Sequence, residues 1–310
     1  MIGWQMSEKK EQITIKKLRE IGRTALSERT DYNVAALETD LLLSKAIGEE
    51  RLFLELNPYR EVLRQRADRF LQLIERRKQG CPVAYLLGYK EFMGYDFWVD
   101  EKVLIPRDDT EVLIELTSDA IRGQGLSVTA GFEVGVGTGV VSLTLLSRFR
   151  RLTMMGADIN DAAIEISQKN ALYLDNQLFD DGLDIEITER YEARASDLFS
   201  GFDISIGALD FIVSNPPYIA SEVIETLDID VKDFEPRNAL DGGRDGMDLY
   251  RRILSEGLPL LREGGFVVFE IGYDQGDAMY EMLSDLGMRN IRISKDLAGN
   301  DRAILGYKQG

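Results

Sequence analysis

The sequence predicts an α/β protein, a mainly parallel sheet covered by helices and preceded by a small helical bundle. Three observations carry this expectation. From about residue 128, short apolar strands alternate with helical patterns, the order that builds parallel sheets. A glycine-rich turn, Gly135-Val136-Gly137-Thr138-Gly139, joins the first of those strands to the first of those helices. Residues 1 to about 80 carry helix-period patterns in succession.

Each element has its own signal. Ile13, Ile15, Leu18, Ile21 and Leu26 form a first helical stripe. Ala35, Leu37, Leu41, Leu42, Ala46 and Ile47 form a second, opened by the capping residues Asp31 and Asn33 and closed by Gly48. Leu63, Phe70, Leu71 and Ile74 form a third, which ends in Arg76-Arg77-Lys78 before Gly80; cations there complement the helix dipole. Segment 82–109 is aromatic-rich, and Glu91–Met93 and Tyr95–Val99 are expected to pair as a hairpin across Gly94. Asp108, Asp109 or Thr110 is expected to cap a helix over about 110–122. Phe132–Val134 then ends a strand and Val140–Leu146 begins a helix. Leu152–Ala157 and Ala162–Ala171 repeat that pair. Ser196–Phe199, Phe211–Val213, Gly265–Ile271, Ile291–Ile293 and Ala303–Leu305 are further strands, with a helix over about 275–286. The polar stretch 175–192 reads as a loop or hairpin insertion. The boundaries expected are therefore 1–81 for the helical domain, 82–109 for the connector and 110–310 for the α/β domain.

Composition excludes whole classes of chemistry. The 310 residues include no histidine, which removes a Ser-His-Asp triad, an imidazole base and His-ligated zinc. Cys81 is the only cysteine, so no intramolecular disulfide and no multi-cysteine metal site can form; a small buried hydrophobe is its expected role. No metal is expected. With 37 basic and 54 acidic residues the net charge is −17, which disfavours generic phosphate-backbone binding. Residues 1–80 hold 16 basic and 13 acidic residues, leaving 21 basic against 41 acidic in the other 230. The N-terminal stretch lacks the apolar run of a signal peptide, and no run of about 18 apolar residues suggests a membrane span, so a cytoplasmic location without membrane association is the expectation.

Two motifs carry chemistry. The first is Glu133-Val134-Gly135-Val136-Gly137-Thr138-Gly139. Glycines there let the backbone approach a ligand, and the following helix N-terminus favours an anionic group. The dinucleotide fingerprint is not met, because Val140 or Ser142 would occupy its last position. Asp158, 19 residues after Gly139, sits where a carboxylate can accept from two ribose hydroxyls, or else cap the next helix; Asn160 is the alternative cap. Asp197 is a possible acceptor for an adenine amino group, with Leu198 as apolar cover. The second motif is Asn215-Pro216-Pro217-Tyr218, directly after the run Asp210–Val213. It suits methylation of a planar nitrogen, whose delocalised lone pair makes it a poor nucleophile. The Asn215 side-chain oxygen and the Pro216 carbonyl can accept both N–H groups of such a nitrogen and aim its lone pair, while Tyr218 stacks on the flat face. The competing reading of both motifs is purely structural, as tight turns.

The glycine loop together with NPPY resembles the amino-methyltransferases of the Rossmann-like class I fold, which have a seven-stranded, mainly parallel sheet. Further segments are similar to the HemK/PrmC family, the release factor glutamine methyltransferases. These are Pro82-Val83-Ala84-Tyr85, Ile105-Pro106-Arg107, Phe234-Glu235-Pro236-Arg237 with Ala239–Gly243, Glu270-Ile271-Gly272-Tyr273 and Lys295–Gly299. The resemblance spans about residues 35–307. It implies S-adenosyl-L-methionine as cofactor, S-adenosyl-L-homocysteine as product, and transfer to N5 of the glutamine in the Gly-Gly-Gln motif of class I peptide chain release factors. It implies that Glu133, Gly135, Val136, Gly137, Thr138, Gly139, Asp158, Asp197, Leu198 and Asn215 bind the cofactor. Asn215, Pro216, Pro217 and Tyr218 bind the substrate, with Asn215, Pro216 and Tyr218 catalytic. The helical domain would dock the substrate, with Arg64, Arg66, Arg69, Arg76, Arg77 and Lys78 as candidates, and the protein would act as a monomer. Three residues depart from the family pattern: Glu133 replaces the usual Asp, Leu198 stands where some members carry an aromatic, and Asp108 stands where proline often follows the arginine. The alternatives are a ribosomal protein glutamine methyltransferase, a DNA adenine methyltransferase, and a non-catalytic adapter on the same fold. The acidic α/β part argues against the DNA enzyme.

Overall fold

The computed structural model describes residues 13–125, 129–183 and 185–310. The chain divides into two compact units between Gly88 and Tyr89.

The first unit is helical, with α1 (Ile15–Leu26), α2 (Tyr32–Ile47), α3 (Arg51–Leu56), α4 (Arg64–Lys78) and α5 (Val83–Leu87). Asp31 caps α2 by accepting from the Asn33 and Val34 amides, and Gly48 closes it in the left-handed conformation. Leu18, Leu42 and Phe70 are fully buried where α1, α2 and α4 meet. Two ion pairs are buried with them. Asp40 accepts from Arg19 Nε at 2.8 Å and Nη2 at 2.6 Å, and Glu38 accepts from Arg77 Nε and Nη2 at 2.9 Å each. A buried charge persists only when paired in this way. Arg77 therefore leaves the expected docking series: it is 7% exposed and holds α4 to α2. Cys81 is buried.

The second unit opens with a hairpin, β1 (Tyr89–Phe92) and β2 (Tyr95–Trp98), turning at Gly94 as expected. Then follow α6 (Thr110–Gln124), β3 (Ala130–Val134), α7 (Val140–Arg148), β4 (Thr153–Asp158), α8 (Asp161–Asp180) and β5 (Tyr191–Ala195). After these come β6 (Leu209–Ser214), α9 (Ile229–Lys232), α10 (Asp248–Gly257), β7 (Leu261–Glu270), α11 (Gly276–Asp285), β8 (Arg289–Lys295) and β9 (Asp301–Tyr307). The seven-stranded sheet has the order β5-β4-β3-β6-β7-β9-β8, in which β9 alone runs opposite to the other strands. Alternate strand residues feed two cores. Phe211, Val213, Phe266 and Val268 pack with Leu113, Leu143 and Leu174 of α6, α7 and α8. Ile212, Val267 and Phe269 pack with Ile253 of α10 and Met279 and Leu283 of α11. Among the described residues no helix is long and apolar enough to cross a membrane.

Three local expectations are corrected. The stretch 175–192 is not an insertion: α8 continues to Asp180 because Leu174 and Leu178 extend its buried stripe, and β5 starts at Tyr191. Ser196–Phe199 is not a strand but the turn after β5, where Ser196 Oγ accepts from the Gly201 amide at 2.7 Å and Leu198 has φ +49°. The acids before α6 do not cap it with their side chains; Asp108 pairs with Lys90 at 2.8 Å and Asp109 with Arg302 at 3.2 Å.

Candidate active site

The chain runs from β3 outward to β4 and β5, then returns to β6 on the other side of β3. The helices after β3 and β6 therefore diverge, and a crevice opens at the carboxyl ends of these strands. Val134 lies opposite Ser214, so the two strands finish level and their loops face each other. Between them is a cavity of ≈ 620 Å³.

The glycine loop forms one wall. The amides of Gly135 and Val136 donate to the Ala157 carbonyl at 2.8 and 3.2 Å, which ties the loop to the end of β4. Gly137 has φ +54°, and a Cβ there would enter open space. A side chain at this position would be strained and would project into the cavity. Glu133 is 1% exposed and accepts from the Ser142 amide at 3.0 Å and from the Ser142 hydroxyl. Burial pushes its carboxyl up to about 8.

Asp158 ends β4. One oxygen accepts from the Gly137 amide and the other from the Asn160 amide, each at 2.9 Å. Asn160 itself caps α8 by accepting from the Ala162 amide at 3.0 Å. Asp158 is thus not the cap, and each oxygen keeps a lone pair for a hydroxyl ligand. Burial raises its pKa, against the opposing effect of the backbone donors. Asp197 also faces the cavity, but both its oxygens accept from Arg252 Nη2 at 3.0 Å. Buried Leu198 supplies apolar wall. The open space at Gly137, the lone pairs of Asp158 and the Leu198 surface fit the amino-acid arm, ribose and base of S-adenosylmethionine.

The Asn215–Tyr218 segment forms the facing wall, with Asn215 and Pro217 lining the cavity. Ser214 Oγ donates to the Val134 carbonyl at 2.6 Å, locking the loop base to β3. The Tyr218 carbonyl accepts from Gln275 Nε2 at 3.0 Å. Gly242 packs on the same loop so closely that a Cβ would lie 2.7 Å from the Pro217 oxygen. Asn215 Nδ2 donates to Thr110 Oγ1 at 3.3 Å, which leaves Oδ1 as the acceptor available to the cavity.

Glu133, Gly135, Val136, Gly137, Thr138, Asp158, Asp197, Leu198, Asn215 and Pro217 all line this one cavity. Gly139, Pro216 and Tyr218 do not. Gly139 starts α7 at φ +82°, Pro216 is buried, and the half-buried Tyr218 ring packs on the core beside β7. Sequence reasoning named Thr110 only as a candidate helix cap and Arg107, Glu235 and Glu270 only as parts of the resembling segments, and gave none of them a place in the site. Arg107 pairs with the buried carboxylate of Glu235, which also accepts from the Ile105 amide at 3.4 Å. That contact pins the excursion between β6 and α10 to the cavity wall at Pro106–Arg107. Glu270 ends β7, as Asp158 ends β4. A lone acid closing an apolar strand was the signal available.

Comparisons with known proteins match the chain over most of its length. The PrmC N-terminal domain family matches residues 17–88, and the methyltransferase small domain family matches residues 110–230. The chain is 36% identical over 304 residues to the release factor glutamine methyltransferase of Geobacter sulfurreducens, covering 97% of this chain and 99% of that one. It is 36% identical over 272 residues to the enzyme of the same name from Clostridium botulinum, covering 88% and 92%. Among solved structures, the hMettl16 catalytic domain in complex with a MAT2A 3′UTR hairpin matches with a TM-score of 0.52 at 15% identity, over 81% of this chain and 84% of that one. At that identity the likeness shows the fold alone.

Proposed function

The chain belongs to the release factor glutamine methyltransferase family. From that premise we propose that it transfers a methyl group from S-adenosylmethionine to N5 of the glutamine in the Gly-Gly-Gln motif of class I peptide chain release factors. The observation that supports the reading is that Asn215 lines the cavity together with the glycine loop and has its amide nitrogen engaged by Thr110, which leaves the amide oxygen as the acceptor. When bound, S-adenosylmethionine supplies an electrophilic methyl group. The residues of the chain do the rest. Gly137 leaves room for the cofactor, and Asp158 accepts from its ribose. Asn215 Oδ1 accepts one N–H group of the glutamine amide, and the carbonyl of Pro216, the next residue of the loop though itself off the cavity lining, is the acceptor proposed for the other. Held this way, the nitrogen loses conjugation and directs its lone pair along the line of transfer. No strong base is required, because the methylated nitrogen becomes acidic and gives its proton to water.

The test is a substrate panel with purified protein and labelled cofactor: intact release factor, a Gly-Gly-Gln loop peptide, ribosomal protein and duplex DNA. The proposal expects label on the release factor, on the glutamine side chain alone. Label on DNA adenine or on a ribosomal protein in preference to the factor would overturn it.

A further inference from the structure

The carboxylate of Glu270 lies outside the motifs that define the cavity, yet two parts of the Asn215–Tyr218 loop lead to it. Glu270 is 1% exposed. Its Oε1 accepts from the Tyr218 hydroxyl at 3.4 Å, and its Oε2 is buried with no hydrogen-bond partner. Thr110, 2% exposed, accepts from Asn215 Nδ2 at 3.3 Å, and its side chain also favours the ionised form of Glu270. Tyr250 holds the strand end in place by donating to the Glu270 carbonyl at 2.7 Å.

We propose that Glu270 is a positioning residue for methyl transfer, the common acceptor that orients Asn215 through Thr110 and Tyr218 directly. This deepens the glutamine reading above and rests on it. A hydroxyl that accepts from Asn215 has its own hydrogen to give, and an ionised carboxylate can only accept. The unpartnered Oε2 is the acceptor for that hydrogen. The chain from Asn215 Nδ2 through Thr110 Oγ1 to Glu270 then has one polarity. It fixes the Asn215 amide with nitrogen inward and oxygen toward the cavity. A donor at position 270 would let Thr110 turn its hydrogen toward Asn215. The amide could then flip and present N–H groups to the N–H groups of the substrate. Arg302, on the neighbouring strand β9, favours the ionised form, while Asp109 opposes it and is itself paired with Arg302. Burial nevertheless pushes the Glu270 carboxyl up to about 7. A group so costly to bury points to a role other than stability.

The experiment compares Glu270→Gln, Thr110→Val and Thr110→Ser with the wild-type chain. It measures kcat and KM on a Gly-Gly-Gln peptide, S-adenosylmethionine affinity by calorimetry, and thermal midpoint at pH 8. Glu270→Gln and Thr110→Val are expected to lower kcat by about 10–100-fold with cofactor affinity unchanged, the scale of a misaligned reacting group. Thr110→Ser should restore most of the rate. Glu270→Gln should melt at or above the wild-type temperature, which a merely structural carboxylate would not allow. A Glu270→Gln variant that turns over like an active wild type, or one whose loss lies in cofactor affinity, overturns the inference alone. A wild-type chain that leaves the peptide unmethylated overturns the substrate reading and this inference with it.

Discussion

Three carboxylates sit at or near the carboxyl ends of parallel strands, and each does something different. Glu133 braces the start of α7 through Ser142, Asp158 holds the glycine loop while keeping lone pairs for a ligand, and Glu270 accepts from Tyr218 behind the cavity. Asp158→Ala is expected to weaken S-adenosylmethionine binding by about 1–3 kcal/mol, the scale for a hydrogen bond involving a charged group. Calorimetry checks this, and a cofactor analogue lacking ribose hydroxyls should lose affinity in the wild type but little more in the variant. The buried acids also set a pH dependence. Glu133 and Glu270 are raised from ordinary carboxyl values to about 8 and about 7. Their stabilising contribution is fully present below the unfolded carboxyl pKa and is lost as pH rises through 7 to 8. The urea midpoint should therefore fall between pH 5 and pH 8, and fall less in Glu133→Gln; an equal fall in both proteins would assign the effect elsewhere. Asp158 was legible because its spacing from the glycine loop is a sequence pattern. Glu270 was not, since its partners Thr110 and Tyr218 lie 160 and 52 residues away and meet it only in the folded sheet.

The helices and strands were legible wherever a buried stripe repeats. The apolar pattern of α2 with its Asp31 cap, the hairpin at Gly94 and the strands β3, β4, β6 and β7 are explained by local signals, whereas β5 and α10 were not read from the sequence. The end of α8 was missed because residues 175–180 are polar except at Leu178 and the exposed Phe179, so little of a buried stripe shows there. The structure gives that polarity a purpose. Gln177 accepts from the Asp96 amide at 3.0 Å and donates to its carbonyl at 3.1 Å. Asn170 does the same for Trp98 at 2.7 and 3.1 Å, and also donates to the Thr138 carbonyl at 2.9 Å. Two side chains of α8 thus satisfy the open edge of β2, and one of them also steadies the glycine loop. Asn170→Ala should destabilise the fold by about 1–3 kcal/mol, because buried backbone groups lose their partners. Denaturant unfolding measures that, and cofactor affinity should fall alongside. Intact affinity in a destabilised variant would separate the hairpin clamp from the loop.

Across the chain, topology does what no single segment announces. The return from β5 to β6 brings Gly135 and Asn215 to adjacent strand ends, 80 residues apart in sequence. The two motifs could each be read alone, but their meeting depends on strand order. Charge is also unevenly distributed. Residues 1–80 carry 16 basic against 13 acidic side chains and the remaining 230 carry 21 against 41, and Arg64, Arg66 and Arg69 line a groove in the first unit with Lys45. Reversing Arg66 and Arg69 to Glu should slow methylation of intact release factor and spare a short loop peptide, if this face docks the substrate; equal effects on both would reject docking. Everything proposed for the reaction, however, depends on Asn215. Its decisive test is single-turnover methyl transfer to intact release factor by the wild type and Asn215→Ala, with cofactor affinity measured on the same samples. The expected result is unchanged affinity and a rate lower by about 10²–10³-fold, the scale for removing one preorganised polar contact to a transition state. Near-wild-type transfer by Asn215→Ala would mean that the loop is a structural turn and that the amide is activated elsewhere.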